Sequence, residues 1–290
     1  MRAGHIFSGI HPGVQLLYFF GALVMTMSCM DPVCVAIAAV TATVYAVYLK
    51  GWRAVGRLWL WYGAVVTLFA LLNPLFSGLG LTALFTVGGT PYTLEALCYG
   101  LTAGGMLIGV MLWFSAYQQV MTGDRLMQVL GRFLPVTAMM IAMTLRYIPD
   151  TLRRGRAVAR ARAALEGGDP ADKRGRLRRA RLTVLTLIGW SMENAIETAD
   201  SMRARGYGAG RRTTYRPYGM TGRDWPVLIG AVVLLAVSGW CLWQPGAAFA
   251  FYPYLSAPAA SPVGYAALAV FYGLPLWLEG KEWWLWRRCR

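Results

Sequence analysis

Six stretches of this chain are apolar over lengths that can cross a bilayer: Val14–Cys29, Pro32–Leu49, Leu58–Phe76, Leu94–Met121, Trp225–Trp243 and Val263–Leu278. A bilayer's hydrocarbon core is about 30 Å thick, so a helix rising about 1.5 Å per residue needs roughly 20 apolar residues to span it. In lipid the backbone must satisfy its own polar groups, and runs of this length can do so only as helices. Asp31-Pro32 punctuates the first two runs, and Asn73-Pro74 lies near the end of the third. Only 14% of the residues are charged and 57% are hydrophobic, against about 25% charged in a soluble domain. The expected fold class is all-α: a polytopic membrane protein of about six transmembrane helices. Twelve Trp and fifteen Tyr suit either interface belts or a packed interior.

Charge orients the spans. Lys50, Arg53 and Arg57 follow the second run, Arg125 and Arg132 the fourth, and Arg287, Arg288 and Arg290 the last, whereas Ser77–Thr93 and Gln244–Pro262 contain no Lys or Arg. Basic loops stay inside, so both termini are expected in the cytoplasm. Met1–Gly13 lacks a basic region leading to a small-residue cleavage site, so the first run reads as a retained helix and not a signal peptide. A seventh run, Phe133–Ile148, is short and holds Pro135 and Arg146. The chain must cross an even number of times between Gly123 and Asp224, and zero is simplest. Phe133–Ile148 is therefore expected along the membrane surface or packed inside the bundle.

Three domains follow: 1–122 with four spans, 123–224 as a cytoplasmic helical block, and 225–290 with two spans and a basic tail. The middle block holds twenty of the 28 Lys and Arg residues. Anionic headgroups attract such bases. The spacing predicts two helices there. Asp150–Leu165 is rich in Arg and Ala, both good helix formers, and Gly167–Pro170 stops it. Arg174–Arg205 is longer, with Leu185, Ile188, Met192, Ala195, Ala199 and Met202 on one stripe. Glu193, Glu197 and Asp200 fall on a neighbouring face, Asp200 can pair with Arg203, and Gly206 supplies the stop.

Motifs of catalysis are missing. There is no Gly-x-x-x-x-Gly-Lys-Ser/Thr phosphate loop, no Gly-x-Ser-x-Gly and no His/Cys ligand cluster. His5 and His11 read as surface residues. Cys29, Cys34, Cys98, Cys241 and Cys289 contain no Cys-x-x-Cys pair and read as small apolar fillers, with neither metal nor disulfide framework. The spans hold few acids or bases, which argues against a self-sufficient proton-coupled carrier. A rival reading is an integral membrane enzyme acting on lipid or prenyl substrates. Its nearest acidic cluster, Glu193, Glu197 and Asp200, lacks the Asp-Asp-x-x-Asp type of metal spacing. A nucleic-acid scaffold would need aromatics among its bases, and Arg153–Arg181 has none, so no nucleic-acid partner is expected.

Two short arginine motifs remain, Ala161-Arg162-Ala163 and Ala204-Arg205-Gly206-Tyr207. Small flanking residues let another surface approach, and the guanidinium offers a rigid fork of donors at a helix C-terminus that favours positive charge. The stretch Trp190–Gly208, reading W-S-M-E-N-A-I-E-T-A-D-S-M-R-A-R-G-Y-G, continues through Arg211-Arg212-Thr213. With Met143-Thr-Leu-Arg-Tyr-Ile-Pro149, Asn73-Pro74-Leu75-Phe76 and Thr93-Leu94-Glu95-Ala96-Leu97, it resembles the energy-coupling factor transporter T component, the EcfT/CbiQ family. The resemblance covers most of the chain and is strongest over 145–213. It implies a coupling subunit of an ABC-type importer of a vitamin or a metal ion such as cobalt or nickel. It implies two arginine-tipped helices, each docked in a groove of one of two ABC-type ATPase subunits, and a separate substrate-binding membrane S component. ATP and Mg would be used by those partners, with no cofactor on this chain and no catalysis by it. The pattern carries over onto Ala204, Arg205 and Gly206. It carries onto Ala161 and Arg162 with Ala163 where Gly is usual, and Arg160, between Ala159 and Ala161, is a competing alignment. The stripe Leu185, Ile188, Met192, Ala195, Ala199 and Met202 would contact the substrate-binding subunit.

Overall fold

The computed structural model describes residues 9–76, 80, 82–87, 90–166, 173–210, 220–244, 249–253, 255–256 and 261–288. They divide between two compact units, one from Met1–Leu126 and Gly219–Arg290, the other from Met127–Tyr218.

The first unit contains α1 (Pro12–Ser28), α2 (Pro32–Lys50), α3 (Trp52–Phe76), α4 (Leu94–Val120), α8 (Asp224–Leu242) and α9 (Pro262–Arg288). Their starts have local chemical causes. The Asp31 carboxylate accepts the Val33 amide at 3.0 Å and Pro32 fixes the first turn of α2. Thr93 caps α4 in the same manner. Gly51, at φ 85°, ends α2 with its amide on the Val47 carbonyl. The third helix begins at Trp52, six residues before the expected start, because nothing between Gly51 and Leu58 breaks a helix.

The fourth helix packs against α1, α2 and α3, while α9 packs against α2 and α8. Glycines make these approaches close. A Cβ on Gly100 would lie 2.7 Å from the Phe69 carbonyl oxygen, and one on Gly104 3.0 Å from the Val66 Cα. This Gly-x-x-x-Gly spacing lets α3 and α4 touch backbone to backbone, as packing in lipid favours. The interior is aromatic: Trp113 stacks on Tyr272 with centroids 5.3 Å apart, and Tyr18, Phe19, Tyr45 and Phe271 surround them. The Tyr272 and Thr26 hydroxyls hydrogen-bond at 2.8 Å.

Five of these helices, all but α1, are long and apolar enough to cross a membrane. The first, at 17 residues, rises about 26 Å. Large apolar side chains cover the outside, including Phe20, Leu60, Val233 and Trp240. Trp225 and Trp243, both exposed, bracket α8, so the aromatics divide between interior and helix-end positions. Two carboxylates are buried at the ends of spans: Glu95 in the first turn of α4 and Glu279 beside the end of the apolar stretch of α9, and Glu95 accepts the Thr82 hydroxyl. A small antiparallel hairpin, β1 (Ala83–Val87) with β2 (Thr90–Thr93), lies within the stretch Ser77–Thr93 that holds no Lys or Arg.

The chain passes into the second unit through α5 (Gly123–Phe133), which is followed by α6 (Pro135–Glu166) and α7 (Lys173–Ala204). Apolar residues of α5 recur at Leu126, Leu130 and Phe133, with Arg125, Gln128 and Arg132 on the other side. Expecting the first long helix to start at Asp150 was wrong. Pro149 lies inside α6, which begins at Pro135, where a proline's fixed φ suits a first turn. Phe133–Ile148 is thus no separate element but mostly the first half of α6, in the second unit. Neither α6 nor α7 is apolar enough to span. They run antiparallel: the hydroxyls of Tyr147 and Thr198 meet at 3.0 Å, and the Arg154 guanidinium lies 3.9 Å from the centre of the Trp190 ring. The stop assigned to Gly167–Pro170, and Arg211–Thr213 of the motif, lie outside the described residues.

Candidate functional site

The two arginine motifs sit toward the two ends of the α6–α7 pair. At the C-terminus of α7 the backbone turns out of the helix in a Schellman motif. The Gly206 amide donates to the Arg203 carbonyl at 2.9 Å, and the Tyr207 amide donates to the Met202 carbonyl at 3.0 Å. This motif needs a left-handed residue one step past the cap, and Gly206, at φ 79°, supplies it. Arg205 is the cap residue itself, its amide on the Ser201 carbonyl at 3.1 Å. Its side chain is exposed and emerges where the helix leaves carbonyls and a negative dipole end.

Beside it α6 and α7 enclose a half-open cleft of about 710 Å³. Arg146, Tyr147 and Asp150 line it from α6, and Glu197, Ser201 and Arg205 from α7. Two guanidinium groups and two carboxylates therefore face one space. Asp150 also accepts a hydrogen bond from Arg154 Nε at 3.0 Å. Asp200 and Arg203 pair at 3.8 Å with both side chains exposed, so the pair contributes little. Glu193, Glu197 and Asp200 are all exposed, and only Glu197 lines the cleft, so the three acids do not converge on one point.

The other motif is built differently. Helix α6 continues four residues past Arg162, to Glu166. Ala161 and Ala163 are exposed helical residues, and Ala163 needs no left-handed backbone. Alanine there is the better helix former. Arg162 is half-buried and donates from Nη2 to the Thr186 hydroxyl oxygen at 2.8 Å. That hydroxyl in turn donates to the Leu182 carbonyl at 2.9 Å. Arg160 is exposed on a neighbouring face of α6.

Of the stripe residues, Leu185, Ile188, Met192, Ala195 and Ala199 are exposed, while Met202 is half-buried in the cleft wall. Met192 is 67% exposed and Ile196, beside it, 65%. Apolar side chains of this size left open on a helix mark a surface that another molecule or lipid covers. Ile196 and Val184 also belong to this surface, as do Leu145, Ile148 and Leu152 of α6. Sequence reasoning missed Arg146, Asp150 and Thr186 because their roles arise from the pairing of α6 with α7. The one available signal was the heptad distance from Tyr147 to Arg154, which puts both on one helix face.

These features define a multi-pass α-helical membrane protein carrying a basic helical unit. A family model described as CbiQ, cobalt transport protein, matches residues 4–215. The chain belongs to that family and is a membrane transport component. The match takes in α1 to α7, both arginine motifs and the stripe. No curated protein matches the chain.

Proposed function

We propose that this chain is the transmembrane coupling subunit of an energy-coupling factor importer. It joins two ABC-type ATPase subunits to a separate substrate-binding membrane subunit, for uptake of a vitamin or a metal ion. The observation that carries the reading is Arg205, held exposed at the cap of a 32-residue helix whose end is fixed by Gly206. A stiff helix transmits force only if its tip is anchored, and a guanidinium on a capped tip is an anchor with fixed geometry. Arg162 bonds Thr186, nineteen residues before Arg205. At about 1.5 Å per residue the two anchors stand roughly 28 Å apart along α7, enough for one to reach each of two ATPase subunits.

ATP, with Mg, is bound and hydrolysed by the partners. Closure of the ATPase pair moves the two arginine-bearing ends, and the exposed stripe from Leu185 to Ala199 passes that motion to the substrate-binding subunit. Both termini and the second unit are cytoplasmic, placed there by the Lys and Arg bias of the loops, in a bacterial or archaeal inner membrane.

Co-expression of the tagged chain with its ATPases and its substrate-binding subunit tests the reading. Arg205→Glu is expected to lose the ATPases on purification and to abolish uptake, while Arg205→Lys keeps part of both. Normal ATPase recovery and normal uptake with Arg205→Glu overturn it.

A further inference from the structure

The short helix α5 is the most sharply two-sided element of the chain, and the proposed coupling role gives it no task. Its 11 residues rise about 16 Å, too little to cross a bilayer. Leu126, Val129, Leu130 and Phe133 fall on one face of the helix, and Asp124, Gln128 and Arg132 fall on the opposite one. None of its residues is buried, and Phe133 is 76% exposed. The apolar face is therefore open. The span before α5 fixes its start. Helix α4 ends at Val120, and only Met121 and Thr122 separate the two helices. Arg125 Nη1 donates to the Val120 carbonyl at 3.1 Å, and the Thr122 carbonyl accepts the Arg125 and Leu126 amides at 3.1 Å each. The first turn of α5 is thus tied by hydrogen bonds to the end of a helix long and apolar enough to cross the membrane.

We propose that α5 is an in-plane membrane-binding helix, with its apolar face set into the boundary between phospholipid headgroups and acyl chains. Lipid is the occupant of that face because of where α5 begins. Phe114 is still exposed on α4, about 9 Å before that helix ends. A helix tied to that end starts at headgroup depth, where a narrow amphipathic helix lies flat and buries its apolar side among acyl chains. The charges agree with this placement. Arg125 and Arg132, seven residues apart, share one flank of the apolar face, while Asp124 lies on the other flank. Arg132 is exposed, so its stem can bend around the helix and carry the guanidinium to a lipid phosphate. Arg125 keeps further donors after the one given to Val120. A helix held in this way sets the depth at which the chain leaves the bilayer after α4. The proposal uses only the spans and α5 itself, so it holds for either orientation of the chain and does not depend on the coupling role.

The test uses the full native chain in nanodiscs of phosphatidylethanolamine and phosphatidylglycerol, doped with a phospholipid that carries a carbene precursor near the top of its acyl chain. After irradiation, mass spectrometry is expected to find lipid adducts on Leu126, Leu130 and Phe133. An α5 peptide without adducts, in a sample where the exposed Ile229 and Val233 of α8 are labelled, overturns the proposal. A second measurement reads which way the helix faces. The native cysteines are replaced by Ser in the full chain, one Cys at a time is placed at positions 124, 126, 128, 130, 132 and 133, and each is nitroxide-labelled in the same nanodiscs. Collision with oxygen, which concentrates in lipid, is expected to exceed collision with a water-soluble nickel chelate at Leu126, Leu130 and Phe133. The order is expected to reverse at Asp124, Gln128 and Arg132. Frequent nickel collision at Leu130 puts the apolar face in water, and rare collision with both reagents at Leu126, Leu130 and Phe133 puts it under protein. Either result overturns the proposal.

Discussion

At one end of the α6–α7 pair, Arg205 occupies the last step of α7, and the glycine after it turns the chain away through a left-handed backbone. At the other end, Arg162 lies inside α6, with a further turn of helix beyond it, and spends a donor on Thr186. The same residue type on the same helical pair is therefore presented in two ways. Arg205 projects from a fixed corner beside a charged cleft. Arg162 lies against its own partner helix and must give up a hydrogen bond before its whole fork can engage another protein. The difference explains why one motif requires Gly and the other accepts Ala. On the proposed coupling role it also predicts that the two ends contribute unequally to docking.

The largest separation is expected from charge reversal. If Arg205 docks as proposed, Arg205→Glu strands the carboxylate or carbonyl it meets on the ATPase, at a cost of about 3–5 kcal/mol, or more than a hundredfold in affinity. Arg162→Glu should cost less, because part of that side chain's bonding is internal. Binding of each detergent-purified variant to its ATPases by titration measures both, and equal losses would erase the asymmetry. Next comes the cap. Gly206→Val forces a β-branched residue to φ 79°, costing about 1–2 kcal/mol, and amide exchange at Arg205–Tyr207 should speed up roughly tenfold. Ala163→Val, in ordinary helix, should cost at most about 0.7 kcal/mol. A smaller effect is expected from Ala163→Gly. It should loosen the last turn of α6 by about 0.5–1 kcal/mol, read as faster exchange over 162–166, with no gain in ATPase binding.

These two ends also mark where the sequence was legible. Gly206 after Ala-Arg announced a helix stop, since only glycine takes the left-handed step cheaply, and α7 stops there. The long apolar runs were equally plain, because a bilayer imposes both length and composition. Pro149 misled: a proline usually closes a helix, but a helix can absorb one at a partly open site, and α6 passes through it. The β1–β2 hairpin lay in a stretch whose glycines masked a weak alternating pattern. Tertiary pairings left no trace in the spacing. Thr186 has no local reason to meet Arg162, and Asp31 none to meet Tyr265.

Thr186→Val puts the comparison at its finest point. It keeps the shape of the side chain and removes the oxygen that accepts from Arg162. At an exposed site that bond contributes about 0.5 kcal/mol net, so the stability of the α6–α7 pair should barely move. If Arg162 is the docking residue, it no longer has to be released, and ATPase binding should tighten by a factor of about two on the same energy scale. Arg162→Ala in that background should then lose more affinity than it does in the native chain. The competing assignment gives the opposite pattern. With Arg160 as the anchor, Thr186→Val leaves binding unchanged and Arg160→Ala abolishes it. A double-mutant cycle between positions 162 and 186, read as ATPase affinity, separates the two, because only a docking arginine tied to Thr186 couples with it.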